Sequence, residues 1–365
     1  MRKNKRKKLD LTTFEGRIEK QGYHKVGMHS AAKICKYAKD SILGKTSCYK
    51  NKFYGISSHR CLQCSPVLQF CNLSCKFCWR LIPETKSGWV ELPQSDQTSL
   101  RGGGSGRPSN WGGGCPSSAV RFEWDEPLFI AEGLIYEQKR IMSGFLGNKK
   151  ANKQLAKEAM EPNQVALSLI GEPTIYPKMS ELIKEFHKRN MTTFLVSNGT
   201  FPNAIQALTT LPTQLYISLI SPDEKTYANV TQQTPAQTKL NWKNFLSSLE
   251  LMKKLSEKTR TVLRMTLVRN LNNENLDGYA NLIKKAMPHY VEVKSFVFVG
   301  GARNECRGLK LSDMLSMDEI RKISAELAKK TGYLYVDEHK PSRVVLLARN
   351  KKAKENRMIT CDRKG

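Results

Sequence analysis

Residues 69–80 read QFCNLSCKFCWR, and the apolar run PVLQF at 66–70 leads into them. Cys71, Cys75 and Cys78 stand in C-x3-C-x2-C spacing, three thiols within eight residues, and the whole 365-residue chain holds ten cysteines. The start, MRKNKRKKLD, is charged with no apolar segment behind it, and no run is long enough to span a bilayer. Neither a signal peptide nor a membrane anchor is expected, so the chain is read as cytoplasmic and its cysteines as metal or redox ligands before disulfides. Three thiolates on a short loop can hold three irons of a 4Fe-4S cube and leave the fourth iron open. A structural zinc site wants four ligands in paired C-x2-C form, and Cys61 with Cys64 keeps that alternative alive.

On either side of this loop, apolar β-type runs alternate with helical patterns. Strands are expected at 66–70, 165–170, 192–197, 214–219, 261–268 and 290–299, and helices at 178–190, 240–255, 275–287 and 317–330. Strands apolar almost throughout, joined by helices, predict a parallel sheet covered on both faces. Six such units fit either an open doubly wound sheet or a partial barrel. The segments at the C-terminal ends of these runs favour the barrel: the cysteine loop, then GEPT (171–174), SNGT (197–200), SPDEKTY (221–227), RNLNNEN (269–275) and GGARNECR (300–307). In a barrel those strand ends share one face and converge on one site. The expected α/β fold is therefore a partial (βα)6 TIM-like barrel over 65–340. A basic arm and cysteine-containing extension precede it (1–64), and a basic C-terminal tail comes after it (341–365). Residues 87–118, rich in Gly, Ser and Pro, are expected as a flexible insertion; their glycines neither follow a strand nor open a helix, which makes a phosphate loop a poor reading.

The charge balance is the other constraint. Sixty Lys and Arg against 33 Asp and Glu give a formal +27. Such an excess suits a polyanion, nucleic acid first, with an over-charged soluble surface as the plainer alternative. Basic clusters at 2–8, at Lys139 and Arg140, at 149–153, at Arg303 and Arg307 and at 351–354 can grip phosphates. Upstream, Cys35, Cys48 and Cys61 recur at intervals of 13 residues. Scattered cysteines are usually small buried apolar groups, but equal spacing ahead of the first strand suggests a second three-thiolate cluster, whose open iron could chelate a keto acid.

C-x3-C-x2-C with Phe77 before its last cysteine, and GEPT after the second run, resembles the radical S-adenosylmethionine superfamily. The stretch CYKNKFYGISSHRC (48–61), with IGEPTIYPKM (170–179), VSNGT (196–200) and VEVKSF (291–296), is similar to the archaeal tRNA 4-demethylwyosine synthases of the wybutosine pathway. The resemblance implies two 4Fe-4S clusters, one on Cys71, Cys75 and Cys78 and one on Cys35, Cys48 and Cys61. It implies S-adenosyl-L-methionine contacted by the Phe77 backbone, by Glu172 within Gly171-Glu172-Pro173, and by Ser197 and Asn198, although Asn198-Gly199 also reads as a plain turn. The substrates would be tRNA-Phe carrying N1-methylguanosine beside the anticodon and pyruvate, joined by a lyase-type radical reaction. Lys50 and Lys52 compete for a Schiff base with the keto acid, and Lys50, next after Cys48-Tyr49, matches the family motif. A monomer is expected. Because eukaryotic relatives carry a flavodoxin-like domain that this sequence does not show, electrons are expected from a separate donor such as ferredoxin or flavodoxin. Cys64 departs from the family, where an apolar residue is expected, and no role attaches to Cys115, Cys306 or Cys361. Another radical RNA modification (methylthiolation or methylation) and a non-catalytic zinc protein are the rival functions.

Overall fold

The computed structural model describes residues 13–80 and 123–359. The basic arm at 2–8, the 87–118 insertion, Cys115 and Cys361 lie outside the described residues. Among these residues the strands are β1 (His24–Val26), β2 (Ser30–Ala32), β3 (Cys61–Ser65), β4 (Gln164–Leu167), β5 (Thr192–Ser197), β6 (Gln214–Leu219), β7 (Arg260–Leu267), β8 (Tyr290–Ser295), β9 (Leu334–His339) and β10 (Val344–Ala348). They form one sheet in the order β1-β2-β3-β4-β5-β6-β7-β8-β10-β9. β3 to β8 run parallel to one another. Antiparallel strands extend both sides, β1 and β2 beside β3, β10 and β9 beside β8.

The parallel centre needs crossover helices, and the sequence supplies clear starts for them. Thr234 and Gln237 form a capping box at Pro235–Leu255, and Ser316 with Glu319 forms another at Met317–Thr331. Helices Met179–His187 and Leu276–Ala286 complete the set within a residue or a few of the expected bounds. Their apolar stripes (Leu182, Phe186, Phe245, Leu249, Tyr279, Ile283, Ile320, Leu327) pack on one face of the sheet, against Leu195, Leu215, Leu263 and Val291. Each such side chain contributes roughly 1.5–3 kcal/mol when buried. Alternate residues face the other way. There Phe194, Tyr216, Val262, Tyr290 and Leu346 meet Tyr49, Phe53 and Tyr54 of the short helix Tyr49–Tyr54. Arg264, Glu292 and Lys294 share that second face by parity with Val262 and Tyr290.

Four expectations change. β4 ends at Leu167, short of 170. The first parallel strand is Cys61–Ser65, not 66–70. Val67, Leu68 and Phe70 are buried as an apolar run should be, but Pro66 has no N–H for a ladder, and the Leu68 amide donates to His29 O at 2.5 Å instead. A boundary at 64/65 consequently cuts a strand. The segment from 341 is no mere tail: Val344–Ala348 is buried at every residue and inserts between β8 and β9. The last parallel strand ends at Ser295, short of 299. Among the described residues no helix is long and apolar enough to cross a membrane.

Candidate active site

The cysteine loop leaves β3 through 66–70 and is fastened by its backbone. Ser74 N donates to Thr231 O at 3.3 Å, Lys76 N to Val230 O at 2.9 Å, and Cys78 N to Cys75 O at 3.0 Å. Arg307 reaches across to the carbonyls of Cys75 (3.2 Å), Lys76 (3.4 Å) and Cys78. Arg303 donates to Phe298 O at 3.1 Å. Of this basic pair, Arg307 thus fastens the cysteine loop and Arg303 its own loop. Phe77 packs between Leu73, Ile220 and Tyr227 on one side and Val268, Phe296 and Ala302 on the other.

Gly171 approaches the same loop with φ +79°, and a Cβ there would lie 2.0 Å from Val67 O; only glycine fits. Glu172 comes next, 2% exposed. Its backbone N donates to Phe70 O at 2.8 Å. Its carboxylate accepts from Thr174 N (3.1 Å), Thr174 Oγ1 (2.6 Å) and Asn198 N (2.6 Å). Burial raises its pKa, and these donors pull it back down. A surface carboxylate is thereby excluded. Pro173 opens the short 3-10 turn behind it. Ser197 Oγ accepts from Gly199 N at 3.0 Å, and Asn198 Nδ2 donates to Asn72 Oδ1 at 2.9 Å. Asn72 Nδ2 in turn donates to Thr200 Oγ1 at 2.9 Å. The chain bends at Gly199, where Asn198 Oδ1 accepts from Thr200 N at 2.9 Å, and the Asn198 side-chain amide grips Asn72, between Cys71 and Cys75.

The second thiol set comes together from separate elements. Cys35 caps the helix Lys36–Ile42, Cys48 caps Tyr49–Tyr54, and Cys61 opens β3. Burial pushes Cys48 and Cys61 up to about 12, and charge on Cys35 pushes the same way; the Lys50 ammonium acts against it. Cys75 is likewise held up to about 12 by burial, then by Cys78. Sulfur donors are soft, so both all-sulfur sets suit a soft, positively charged group that would take the place of the thiol protons. Among the described residues no three His, Cys, Asp or Glu side chains crowd closely enough to hold a single ion. Cys64 does not join Cys61, because three residues along a strand reverse the face. It is wholly buried in the helix-side core, near Ala166 O at 3.9 Å.

Lys50 and Lys52 also part company, since residues two apart on a helix point in nearly opposite directions. Lys52 is exposed, paired with Asp337 Oδ1 at 2.7 Å and donating to Glu338 O at 2.8 Å. Lys50 is buried, its Nζ 4.7 Å from the Phe194 ring centroid and 5.1 Å from that of Tyr216. Burial first and Arg264 second lower its pKa, which favours the neutral amine. Around it, Glu292 accepts from Tyr49 OH (3.0 Å), Tyr54 OH (2.8 Å) and Arg264 Nε (2.9 Å). Between the two thiol sets lies buried Arg80, donating to Tyr23 OH at 3.3 Å and Ser168 O at 3.1 Å and feeling both Cys78 and Cys35. Sequence reasoning missed these roles of Asn72, Arg80, Arg264, Glu292 and Arg307. Charged residues inside the apolar runs VLRMTLV and VEVKSF are the one signal that could have found Arg264 and Glu292.

Residues 148–283 match the radical SAM superfamily, and residues 285–349 match a family described as Wyosine base formation. The chain is 42% identical over 337 residues to the S-adenosyl-L-methionine-dependent tRNA 4-demethylwyosine synthase of Pyrococcus abyssi, covering 91% of this chain and 87% of that one. It is 36% identical to the Methanocaldococcus jannaschii protein of the same name, covering 94% and 96% of the two chains. A solved structure described as TYW1 with a lysine-pyruvate adduct bound superposes with a TM-score of 0.75 at 34% identity, covering 97% of this chain and 99% of that one.

Proposed function

Because the chain belongs to the family of S-adenosyl-L-methionine-dependent tRNA 4-demethylwyosine synthases, we propose that it condenses N1-methylguanosine beside the anticodon of tRNA-Phe with pyruvate to give 4-demethylwyosine. It is a radical enzyme that uses S-adenosyl-L-methionine and an iron–sulfur cluster. The observation that carries the reading is Lys50. Its amine is buried among Phe194, Tyr216 and the second thiol set, and a similar solved structure is described with a lysine-pyruvate adduct bound.

Cys71, Cys75 and Cys78 hold one 4Fe-4S cluster in this reading, and Cys35, Cys48 and Cys61 a second. When bound, the first cluster and S-adenosyl-L-methionine supply a 5′-deoxyadenosyl radical. Glu172 takes the amino group of S-adenosyl-L-methionine, Phe77 lends its backbone to the adenine, and Ser197 and Asn198 lie beside the ribose or carboxylate. Lys50 Nζ attacks the ketone carbon of pyruvate and water leaves; the resulting imine is a better radical acceptor than the ketone. Helices on one face of six parallel strands support a partial (βα)6 barrel beginning at β3, with the segment carrying Cys35 and Cys48 as its extension. The target base must leave its stack to reach that interior, which costs least in a single-stranded loop. A cytoplasmic monomer fed by ferredoxin or flavodoxin completes the proposal.

The test is anaerobic incubation with N1-methylguanosine tRNA, S-adenosyl-L-methionine, pyruvate and dithionite, read by nucleoside mass spectrometry. Wild type should yield 4-demethylwyosine with 5′-deoxyadenosine. Lys50→Ala should keep the 5′-deoxyadenosine and lose the tricycle. A methylated or methylthiolated nucleoside would support the rival radical reaction, and full activity of Lys50→Ala would remove the imine.

A further inference from the structure

The face of the sheet opposite the helices carries unbalanced charge. Lys50, Arg264 and Lys294 stand there with Glu292, and both Glu292 oxygens are taken: Oε2 by Tyr49 and Arg264 Nε, Oε1 by Tyr54. Arg264 Nη2 is buried and has no hydrogen-bond partner among the described residues. A guanidinium arm desolvated without an acceptor is a costly arrangement unless an acceptor arrives. The same guanidinium lies 4.4 Å from the Tyr216 ring centroid, and Lys50 Nζ lies 5.1 Å from it. Both groups therefore border the same aromatic ring.

We propose that Arg264 anchors the carboxylate of the 2-keto acid through Nη2, holding the adjacent ketone carbon against Lys50. This rests on Lys50 being the imine-forming lysine. A 2-keto acid has its carboxylate bonded directly to the carbonyl carbon, so an anion fixed by Arg264 puts the electrophile near an amine that borders the same ring. Glu292 turns the guanidinium by holding Nε, leaving Nη2 for the ligand; a charge-assisted bond there selects an acid over an uncharged ketone. Lys294 is the competing anchor: half-buried on the same face, it donates among the described residues only to Ser295 O at 3.3 Å.

Reductive trapping tests the assignment without calling on the radical reaction. Reconstituted protein is kept anaerobic with cyanoborohydride and either pyruvate or hydroxyacetone, a three-carbon ketone without the carboxylate. Lys50 Nζ attacks C2, the carbonyl oxygen leaves as water, and hydride delivered to C2 fixes the adduct, read by mass on the Lys50 peptide. Wild type should trap pyruvate at far lower concentration than hydroxyacetone. Arg264→Gln should raise half-saturation by pyruvate roughly 10- to 100-fold and leave that for hydroxyacetone where it was. Equal weakening for both carbonyls, unchanged trapping of pyruvate, or loss of selectivity in Lys294→Gln instead would each overturn the anchor while leaving the imine intact. No adduct on Lys50 in wild type with either carbonyl would remove the imine, and the anchor with it. Should Arg264→Gln not fold, Arg264→Gln with Glu292→Gln removes both ion-pair partners and faces the same comparison.

Discussion

Cys71, Cys75 and Cys78 ride on one eight-residue loop, whereas Cys35, Cys48 and Cys61 are delivered by two helix starts and a strand. The loop is held by amides and by one arginine on its carbonyls, so its geometry is local. The second set exists only when β3 and the helices before it have docked. Their surroundings differ as well. The first set lies beside the buried carboxylate of Glu172, which raises the Cys71 pKa after burial itself does. The second faces Lys50, which acts the other way on Cys48 and Cys61. A motif can be local in sequence and general in chemistry; in the proposed function the dispersed set is where the particular reaction is built.

Serine substitutions should separate the two most sharply. On the proposed reading of two clusters with three thiolates each, Cys75→Ser should lose about half of the bound iron and all 5′-deoxyadenosine formation. Cys48→Ser should lose a similar share of iron, retain 5′-deoxyadenosine formation and make no 4-demethylwyosine. Iron analysis with nucleoside chromatography reads both. Full iron in Cys48→Ser would break the comparison, leaving the dispersed cysteines as packing groups.

Two glycines make the next contrast. Gly171 (φ +79°) would bring a Cβ within 2.0 Å of Val67 O and 2.7 Å of Phe70 O, both backbone atoms. Gly171→Ala should cost more than about 2 kcal/mol, strain and clash together, and weaken S-adenosyl-L-methionine binding, since Phe70 O also receives Glu172 N. Gly44, between Cys35 and Cys48, has φ +68° with nothing within 4 Å of a Cβ. Gly44→Ala should cost only about 1 kcal/mol of backbone strain. Urea midpoints and ligand titration check both. Equal losses would mean that the approach to Val67 does not set the loop.

The same contrast explains how much is legible without coordinates. Strands 192–197 (TTFLVS) and 214–219 (QLYISL) fall where expected because β-branched and aromatic residues fill short runs bounded by Asn198-Gly199, Pro212 and Pro222. β3 escapes a search for apolar runs because CLQCS alternates polar with apolar, Cys61, Gln63 and Ser65 turning from the helix side while Leu62 and Cys64 join its core. β10 hides in a lysine-rich end that reads as a tail, although VVLLA is apolar throughout. The loop motif, Gly171 and Glu172 are legible as local patterns. The spacing of Cys35, Cys48 and Cys61 raises suspicion, but only tertiary pairing brings Lys50, Arg264 and Glu292 together, from a helix and two strands far apart in the chain. Sequence also leaves Lys50 and Lys52 as rivals; packing of one helix turns one inside and one out.

The charged interior near the dispersed set carries its own signature in pH. Burial first, then Arg264, lowers the Lys294 pKa from 10.5 to about 8, with Glu292 opposing. The folded state therefore gives up this proton more readily than the unfolded chain. Below pH 8 both states hold it and the folded protein bears the full cost of a half-buried cation. Between about pH 8 and 10.5 the unfolded chain holds more protons, so the cost fades and stability rises with pH. Lys294→Met should accordingly be more stable than wild type at pH 7, by about 1–2 kcal/mol once water reaching the amine is allowed for. The gap should close as pH approaches 10.5. Urea unfolding of both proteins across that range measures it as a difference, so the cysteines, common to both, largely cancel. A gap that stays constant would mean Lys294 is stably neutral or paired, and the positive excess assigned to this side of the sheet would be lost.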